Sequence, residues 1–254
     1  MKFTFLIFCF GFILVYNSNL WGNILVSNEK LNSLEQKIRF QTIFGNCPTR
    51  LIGNLSINIV EEFTKNLSLR DVKSKIIKEN LKEKYFLSSY NIKYDPLKKL
   101  LYLEYDCPLP LLKVSVYEKN KAEAYQSILV ENGKMFDPTY EIILKEENKL
   151  KHELPVLSLS KSEVEKDIQV LVASLMKKTT SRFRENIAEL IISEEKELTI
   201  ILSMNGKPIS VFFGKDEWET KIIQLKRIVE YLNTKQKAPT MINLSNQKKI
   251  VVKF

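Results

Sequence analysis

The chain has little of the residue types on which catalytic and ligand sites commonly depend. Its 254 residues include 7 glycines, 3 cysteines and a single histidine, His152. So few glycines disfavour loops that cradle nucleotide phosphates, and no Gly-x-Ser-x-Gly, HExxH or P-loop pattern is present. One histidine and no paired cysteine spacing argue against a metal site. The sequence therefore predicts no catalytic residue, no cofactor and no metal ligand.

An exported enzyme is the alternative, and two positions bear on it. His152 lies in the polar segment Lys149 to Glu153, which is typical of an exposed loop rather than of a general base. The adjacent carboxylates Glu194 and Glu195 fall in a predicted turn, where they are expected to be solvated. We expect neither position to be catalytic.

Arginine is scarce as well, although the chain is basic. Of the 39 basic residues, 33 are lysine and 6 are arginine, and the net charge is +9. A basic balance can indicate nucleic acid or an anionic membrane as partner. The lysines alternate with glutamates and form no dense run, as on solvated helix faces. We therefore expect no nucleic-acid partner and no small-molecule substrate.

No apolar run is long enough to be an unambiguous membrane span. The apolar run Phe3 to Tyr16 has 14 residues, whereas a bilayer span needs roughly 20. Together with the weaker run Leu20 to Val26 it could cross the membrane as one tilted helix. The other interpretation is a cleaved signal peptide. We expect an uncleaved N-terminal membrane anchor over residues 1–26, with the rest of the chain exported because Lys2 is the only flanking charge.

Export bears on Cys47 and Cys107, which lie outside the apolar run and each precede a proline. In an oxidising compartment they could form one disulfide. Two buried thiols is the other interpretation, and it is the one we expect.

Residues 34–109 show the pattern of a compact α+β unit. Residues 37–44 alternate as a strand, and residues 51–66 are ambiguous, with a helix expected from about residue 57. Ser68 with Asp71 three residues later predicts a helix start. That helix carries four apolar residues at helical spacing, which predicts a core face: Val72, Ile76, Ile77 and Leu81. Two strands are predicted at residues 86–94 and 99–105.

Residues 110–254 are dominated by short strands. Asn132-Gly133 and Asn205-Gly206 lie between apolar runs, which is a strong hairpin signal. Residues 138–152 form a polar excursion. Two amphipathic helices are predicted, one capped by Ser160 and running to residue 178, the other over residues 216–233. The second half is therefore expected to be a mixed β-sheet domain with two helices.

The chain closes with two strand-like runs, Met241 to Leu244 and Lys249 to Phe254, around a polar turn. A terminal strand usually lies at or near a sheet edge, which is either a hazard or a docking site. The lysines at 248, 249 and 253 suit a blunted edge. A docking edge favours a partner-binding protein.

Five motifs of the second half stand in an order found in one family. They are Cys107-Pro-Leu-Pro110, Leu129-Val-Glu-Asn-Gly-Lys-Met-Phe136, Leu154-Pro155-Val156-Leu157, Ile209-Ser-Val-Phe-Phe-Gly214 followed by Glu219-Thr-Lys221, and Ile242-Asn-Leu244 followed by Ile250-Val-Val252. In this order they resemble the bacterial cell-division family FtsQ/DivIB. Two departures are Asn243, where the family usually has Asp, and the near absence of the family's basic cytoplasmic tail.

The resemblance implies a domain organisation and a location. A POTRA domain, a small β-α-α-β-β module, would cover residues 34–109, and the family's β domain would cover residues 110–254. The protein would be a single-pass type II protein of the inner (cytoplasmic) membrane, with its bulk in the periplasm or extracytoplasmic space. It would be a non-catalytic scaffold of the divisome.

The resemblance also implies partners and a binding site. Bitopic membrane proteins of the FtsB/DivIC and FtsL type would add a strand at the C-terminal sheet edge. The implied binding residues are Lys249, Ile250, Val251, Val252, Lys253 and Phe254, with Tyr231 and Trp218 on the preceding helix. Core packing is the other interpretation of Trp218 and Tyr231. The alternative function is another exported POTRA-type binding or secretion-assembly module, or a secreted eukaryotic protein with glycosylation sequons at Asn54, Asn66 and Asn243.

Overall fold

The computed structural model describes residues 38–120, 122–204, 206–246 and 249–254. The predicted anchor over residues 1–26 lies outside the described residues. Within the described ranges, no helix combines the length and the apolar character that a membrane crossing needs.

The first module is a three-stranded sheet with three helices. Its elements are β1 (Arg39–Ile43), α1 (Thr49–Asn66), α2 (Leu69–Lys78), α3 (Leu81–Lys84), β2 (Ser89–Asp95) and β3 (Leu100–Asp106). The sheet order is β1-β3-β2, with β1 parallel and β2 antiparallel to β3. The ambiguous stretch is thus one 18-residue helix, α1, that begins eight residues before the expected start.

The predicted start of α2 is confirmed, but its predicted core face is partly wrong. The Ser68 hydroxyl accepts a hydrogen bond from the Asp71 N–H at 3.2 Å, as expected of a helix cap. Val72 and Ile76 are buried, whereas Ile77 is 75% exposed. Because α2 ends at Lys78, Leu81 reaches the core from a separate helix, α3.

The second half builds a mixed sheet of nine strands. They are β4 (Pro110–Tyr117), β5 (Glu123–Val130), β6 (Met135–Phe136), β7 (Val156–Ser160), β8 (Ile187–Ile192), β9 (Leu198–Met204), β10 (Lys207–Gly214), β11 (Met241–Asn243) and β12 (Val251–Lys253). Their order is β12-β11-β10-β9-β8-β7-β4-β5-β6. Three neighbouring pairs are parallel: β4 with β7, β7 with β8, and β10 with β11. The predicted α+β class with a mixed sheet is confirmed.

The helices of the second half confirm one prediction and correct two. They are α4 (Thr139–Glu146), α5 (Lys166–Lys177), α6 (Ser181–Arg184) and α7 (Trp218–Thr234). The apolar face of α7 is buried as predicted. The polar excursion contains α4, which buries Tyr140 and Leu144. Ser160 makes no capping hydrogen bond, because a 3-10 turn at residues 161–163 intervenes and α5 begins only at Lys166.

Helices α5 and α7 pack on one face of the nine-stranded sheet. Their side chains Val172 and Leu225 belong to the same buried cluster as Val211 of β10 and Ile242 of β11. Val252 of β12 packs against that cluster from its margin. The core therefore extends to the last strand and holds it in register with β11.

A disulfide closes the first module, and the module's buried cluster is shared with the second half. Cys47 and Cys107 form a disulfide, so the expectation of two buried thiols was wrong. Both sulfurs lie in the buried cluster of the first module, and that cluster continues into the second half through Phe136 and Tyr140. The rings of Phe136 and Tyr140 contact Phe86 at centroid distances of 5.4 and 4.7 Å.

Polar contacts across the junction of the first module with the second half cap the N-terminus of α1. Helix α1 follows Pro48 and has no capping side chain of its own. Instead the carboxylate of Glu147, just after α4, accepts the N–H groups of Thr49 at 2.6 Å and Arg50 at 2.9 Å. Lys149 donates to the Cys47 carbonyl and to the Thr49 hydroxyl. We call the contacts of Glu147 and Lys149 with residues 47–50 the junction clamp.

Candidate partner-binding edge

The C-terminal strand β12 is one edge of the nine-stranded sheet, as the sequence predicted. It pairs antiparallel with β11 through Val251 opposite Asn243 and Val252 opposite Ile242. Its other side has no strand neighbour in the described sheet. The approach to the edge is fixed by the Asn243 side chain, which accepts the Ser245 N–H at 2.9 Å. A β-branched pair, Val251-Val252, suits a strand at this position.

The two faces of β12 differ in exposure. Val252 packs on the core that α7 covers, while Val251 is 40% exposed on the opposite face. Val251 continues a row with Asn243 and Phe212, because these residues are aligned across β12, β11 and β10. Phe212 is 38% exposed and was not among the predicted residues. The alternation of β10, with Val211 and Phe213 buried, is the signal that could have identified Phe212.

Two of the predicted binding residues are exposed aromatic rings, each with a lysine over it. Tyr231 on α7 is 62% exposed, and the Lys235 ammonium lies 5.9 Å from its ring centre. Phe254 is 63% exposed, with Lys237 at 5.4 Å. Such contacts are weak at exposed sites, so a partner can displace the lysines. For Tyr231 the exposure argues against the core interpretation.

Trp218 has the core environment instead. It is 3% exposed, and its indole N–H donates to the Gly214 carbonyl at 2.8 Å. One turn later the buried ammonium of Lys221 donates to the Phe213 carbonyl at 2.8 Å and to Asp216 at 2.7 Å. These bonds attach the start of α7 to the end of β10. Trp218 is therefore placed to position the helix rather than to touch a partner.

The pair Lys221 and Asp216 is electrostatically matched. The hydrogen bond and the charge of Lys221 hold the pKa of the Asp216 carboxyl below its ordinary value. A buried cation needs such a partner to offset its desolvation.

The lysines of β12 are also compatible with an edge that is protected from pairing by charge. Lys249 and Lys253 are exposed, and Lys248 lies outside the described residues. Exposed apolar residues interleave with these lysines, since Ile250 is 46% exposed. An edge that only repels would not need Ile250, Val251 and Phe254 in water.

The opposite edge of the same sheet is covered only at the end of β5, where β6 pairs with Ile128 and Leu129, while Tyr125 of β5 is 41% exposed. Strand β6 has two residues, and its Phe136 is buried among Phe86 and Tyr140. In the smaller sheet the edge strand β2 exposes Ser89, Asn91 and Lys93, which are polar. Among the described strands, β12 with its flanking residues has an open edge and three exposed apolar side chains, Ile250, Val251 and Phe254, against the single Tyr125 on β5.

The positions weighed for catalysis show no catalytic geometry. His152 is exposed, with Nε2 3.5 Å from the Glu185 carboxylate. The part of the chain that the structure describes holds no group of three or more His, Cys, Asp or Glu side chains placed for a metal ion.

Comparison with known proteins identifies the second half of the chain. No curated protein matches it at a significant level. The family model for the C-terminal region of the cell-division protein FtsQ/DivIB matches residues 119–245, which is half of the 254 residues. The match runs from before β5 to just after β11 and ends before β12. The chain therefore belongs to the FtsQ/DivIB family of cell-division proteins.

Proposed function

We propose that this protein is a non-catalytic, membrane-anchored scaffold of the division machinery that binds bitopic partners by strand addition at β12. Family membership supports the cell-division role. The observation that carries the finer proposal is the combination at β12 of an open strand edge and exposed apolar side chains. The partners are single-pass proteins of the FtsB/DivIC and FtsL type. The first module is assigned as the family's POTRA domain, and its observed β-α-α-α-β-β order adds one short helix to the β-α-α-β-β pattern.

Strand addition uses the backbone for affinity and the side chains for selectivity. An added strand next to β12 would lie beside Ile250 and Phe254 on the α7 side and beside Val251 on the other side. Tyr231 would be a further contact, from its exposed position on α7. Lys249 and Lys253 suit acidic residues flanking the added segment, since rim charges direct encounter more than they add affinity.

The test compares the full-length chain with a version lacking residues 250–254. Both are used to capture membrane proteins, with Ile77→Ser as a matched variant that removes an exposed apolar side chain elsewhere. The proposal expects the full chain and Ile77→Ser to retain a small single-pass partner and the truncated chain to lose it while circular dichroism shows that the truncated chain stays folded.

Hydrogen exchange then separates strand addition from side-chain docking. Adding the captured partner should slow exchange of the backbone amides of residues 250–254 in the full-length chain, because a new strand pairs with them. Equal capture by the truncated chain, or capture without amide protection, would refute the proposal.

A further inference from the structure

The first module ends in an exposed apolar tip at the end where the chain enters the fold. Leu97, in the turn between β2 and β3, is 95% exposed, and Leu67, just after α1, is 55% exposed. The strand β1 begins beside the same turn, since the Arg39 N–H donates to the Lys99 carbonyl and its guanidinium to the Lys98 carbonyl. The end of α1 is held against β2 by Phe63 and Tyr94, whose rings are 4.8 Å apart. We call the surface formed by Leu67, Leu97 and the start of β1 at Arg39 the N-terminal pole.

The leucine of the turn is held outward by local bonds. Asp95 accepts the N–H groups of Leu97 at 3.0 Å and Lys98 at 3.1 Å, which fixes the turn. The turn closes with Lys99 in a left-handed backbone conformation, φ +48°, and Leu67 has the same conformation with φ +50°. Glycine commonly takes such positions. Lys99 and the exposed Leu67 therefore each hold a left-handed backbone conformation, which costs about 1 kcal/mol of folding free energy per residue.

Cations surround the two leucines. The basic residues exposed at this end are Arg39, Lys65, Arg70, Lys98 and Lys99. The nearby carboxylates are engaged in local structure: Asp95 accepts the turn amides, and the Asp71 carboxylate accepts the Asn66 amide. Asp95 also lies 3.9 Å from the Lys98 ammonium, and Glu62 lies 3.4 Å from that of Lys65. An exposed leucine ringed by lysines matches the chemistry of an anionic lipid surface, which takes apolar side chains at the headgroup boundary and attracts cations.

The position of the pole in the chain also points to a lipid surface. Helix α1 starts at the junction clamp and ends at the pole, so its 18 residues place the pole about 27 Å from the clamp. Thirty-seven residues precede Ile38, and they include the 14-residue apolar run Phe3 to Tyr16. The chain therefore passes from that apolar run into the fold at the pole.

We infer that the N-terminal pole docks on an anionic bilayer surface, with Leu97 and Leu67 at the headgroup boundary and the surrounding cations on lipid phosphates. Docking at this end is independent of strand addition at β12, because the two surfaces share no residue. Its occupant is lipid rather than a second protein.

The test places the photocrosslinking residue p-benzoylphenylalanine at position 97 of the full-length chain. The chain is presented with liposomes of equimolar phosphatidylglycerol and phosphatidylcholine, or of phosphatidylcholine alone. Position 77 is the matched control, because Ile77 is 75% exposed but lies about 12 Å along α2 from its start near the pole. The same label at position 67 provides a second site.

Lipid adducts are expected at positions 97 and 67 in the anionic liposomes and not at position 77. Lys98→Gln and Lys99→Gln should each lower the ratio of docked to undocked protein about fivefold, the factor for one cation near an anionic surface. The inference would be overturned by lipid adducts of equal yield at position 77, or by adducts of equal yield with anionic and neutral liposomes. It would also be overturned if position 97 gave no lipid adduct, or gave protein adducts in place of lipid.

Discussion

Removing the Glu147 carboxylate should destabilise the protein by uncapping a helix 98 residues away in sequence. The N-terminus of α1 carries no acidic residue in its first turn and no side-chain cap of its own. Glu147 supplies both functions from the other side of the junction, through its bonds to Thr49 and Arg50. Hydrogen bonds to a charged group contribute about 1.5–3 kcal/mol, and a helix cap about 1 kcal/mol.

The expected loss of unfolding free energy depends on which hydrogen-bond acceptors each substitution at Glu147 retains. Glu147→Gln keeps one oxygen acceptor and loses the charge, so the free energy of unfolding should fall by about 1–2 kcal/mol. Glu147→Ala removes both acceptors and should cost about 2–3 kcal/mol. For a fold of this size the alanine variant should melt about 4–12 °C lower.

The cost should depend on pH in a defined direction. Burial acts to raise the pKa of the Glu147 carboxyl, but the N–H bonds from Arg50 and Thr49 and the charge of Lys149 outweigh it and hold the pKa below the ordinary 4.5. Because the folded-state pKa is depressed, the stabilisation is present above pH 4.5 and is lost as the pH falls through the lower folded-state value.

The assay is urea unfolding of the full-length chain at a series of pH values from neutral to acid. Glu146→Gln is the matched control, because Glu146 is the exposed neighbour and the charge change is the same. The difference between the wild type and Glu147→Gln should be largest at neutral pH and shrink in acid. Equal effects of the two variants, or a difference that is constant with pH, would refute the capping argument.

Three further substitutions test other parts of the fold by the same unfolding measurement. Cys107→Ser opens a disulfide that closes 60 residues and should cost about 4 kcal/mol, whereas no change, or no matching loss when the wild type is reduced, would contradict this. Lys221→Met leaves the buried Phe213 carbonyl without its donor and should cost about 1–3 kcal/mol; an unchanged midpoint would show that this bond adds nothing. Gly133→Ala puts a methyl 2.9 Å from a valine methyl of α5 at φ +77°, while Gly206→Ala at φ +74° meets nothing within 4 Å. The first glycine variant should therefore be the less stable, and equal losses would attribute the cost to backbone strain alone.

Sequence patterns predicted the local parts of this fold because their causes are local. The alternation in β2 and β3, the Ser68 cap and the two Asn-Gly hairpins each depend on a few neighbouring residues. Helix α4 was missed since it is eight residues long and mostly polar, and it is held by contacts of Tyr140 and Leu144 with the first module. Propensity is weak for so short a helix.

The long-range features could not be read from the chain. The disulfide joins residues 60 apart, and the sequence alone favoured two buried thiols instead. The junction clamp depends on Glu147 meeting α1, and a glutamate in a lysine-rich stretch carries no signal of that role. At the candidate site, the edge position of β12 was predictable from its place at the chain end. The burial of Trp218 follows from the helical spacing that it shares with Ile222 and Leu225, and the same spacing puts Tyr231 on the opposite, exposed face of α7.

The junction connects the two proposed surfaces mechanically. A single packed cluster and the junction clamp join the first module to the second half, and the disulfide ties Cys47, beside the clamp, to Cys107 at the end of the first module. Relative movement would have to break these together, whereas separate domains joined by a linker and a small interface move freely. A pole that docks on lipid at one end of α1 therefore fixes the orientation of whatever is attached at the other end. In that arrangement β12 meets its partner at a defined height and angle to the membrane. Cleaving the disulfide and removing Glu147 together should then weaken capture of a membrane-anchored partner while leaving capture of its soluble part unchanged, and equal loss of both would show that the junction sets stability rather than orientation.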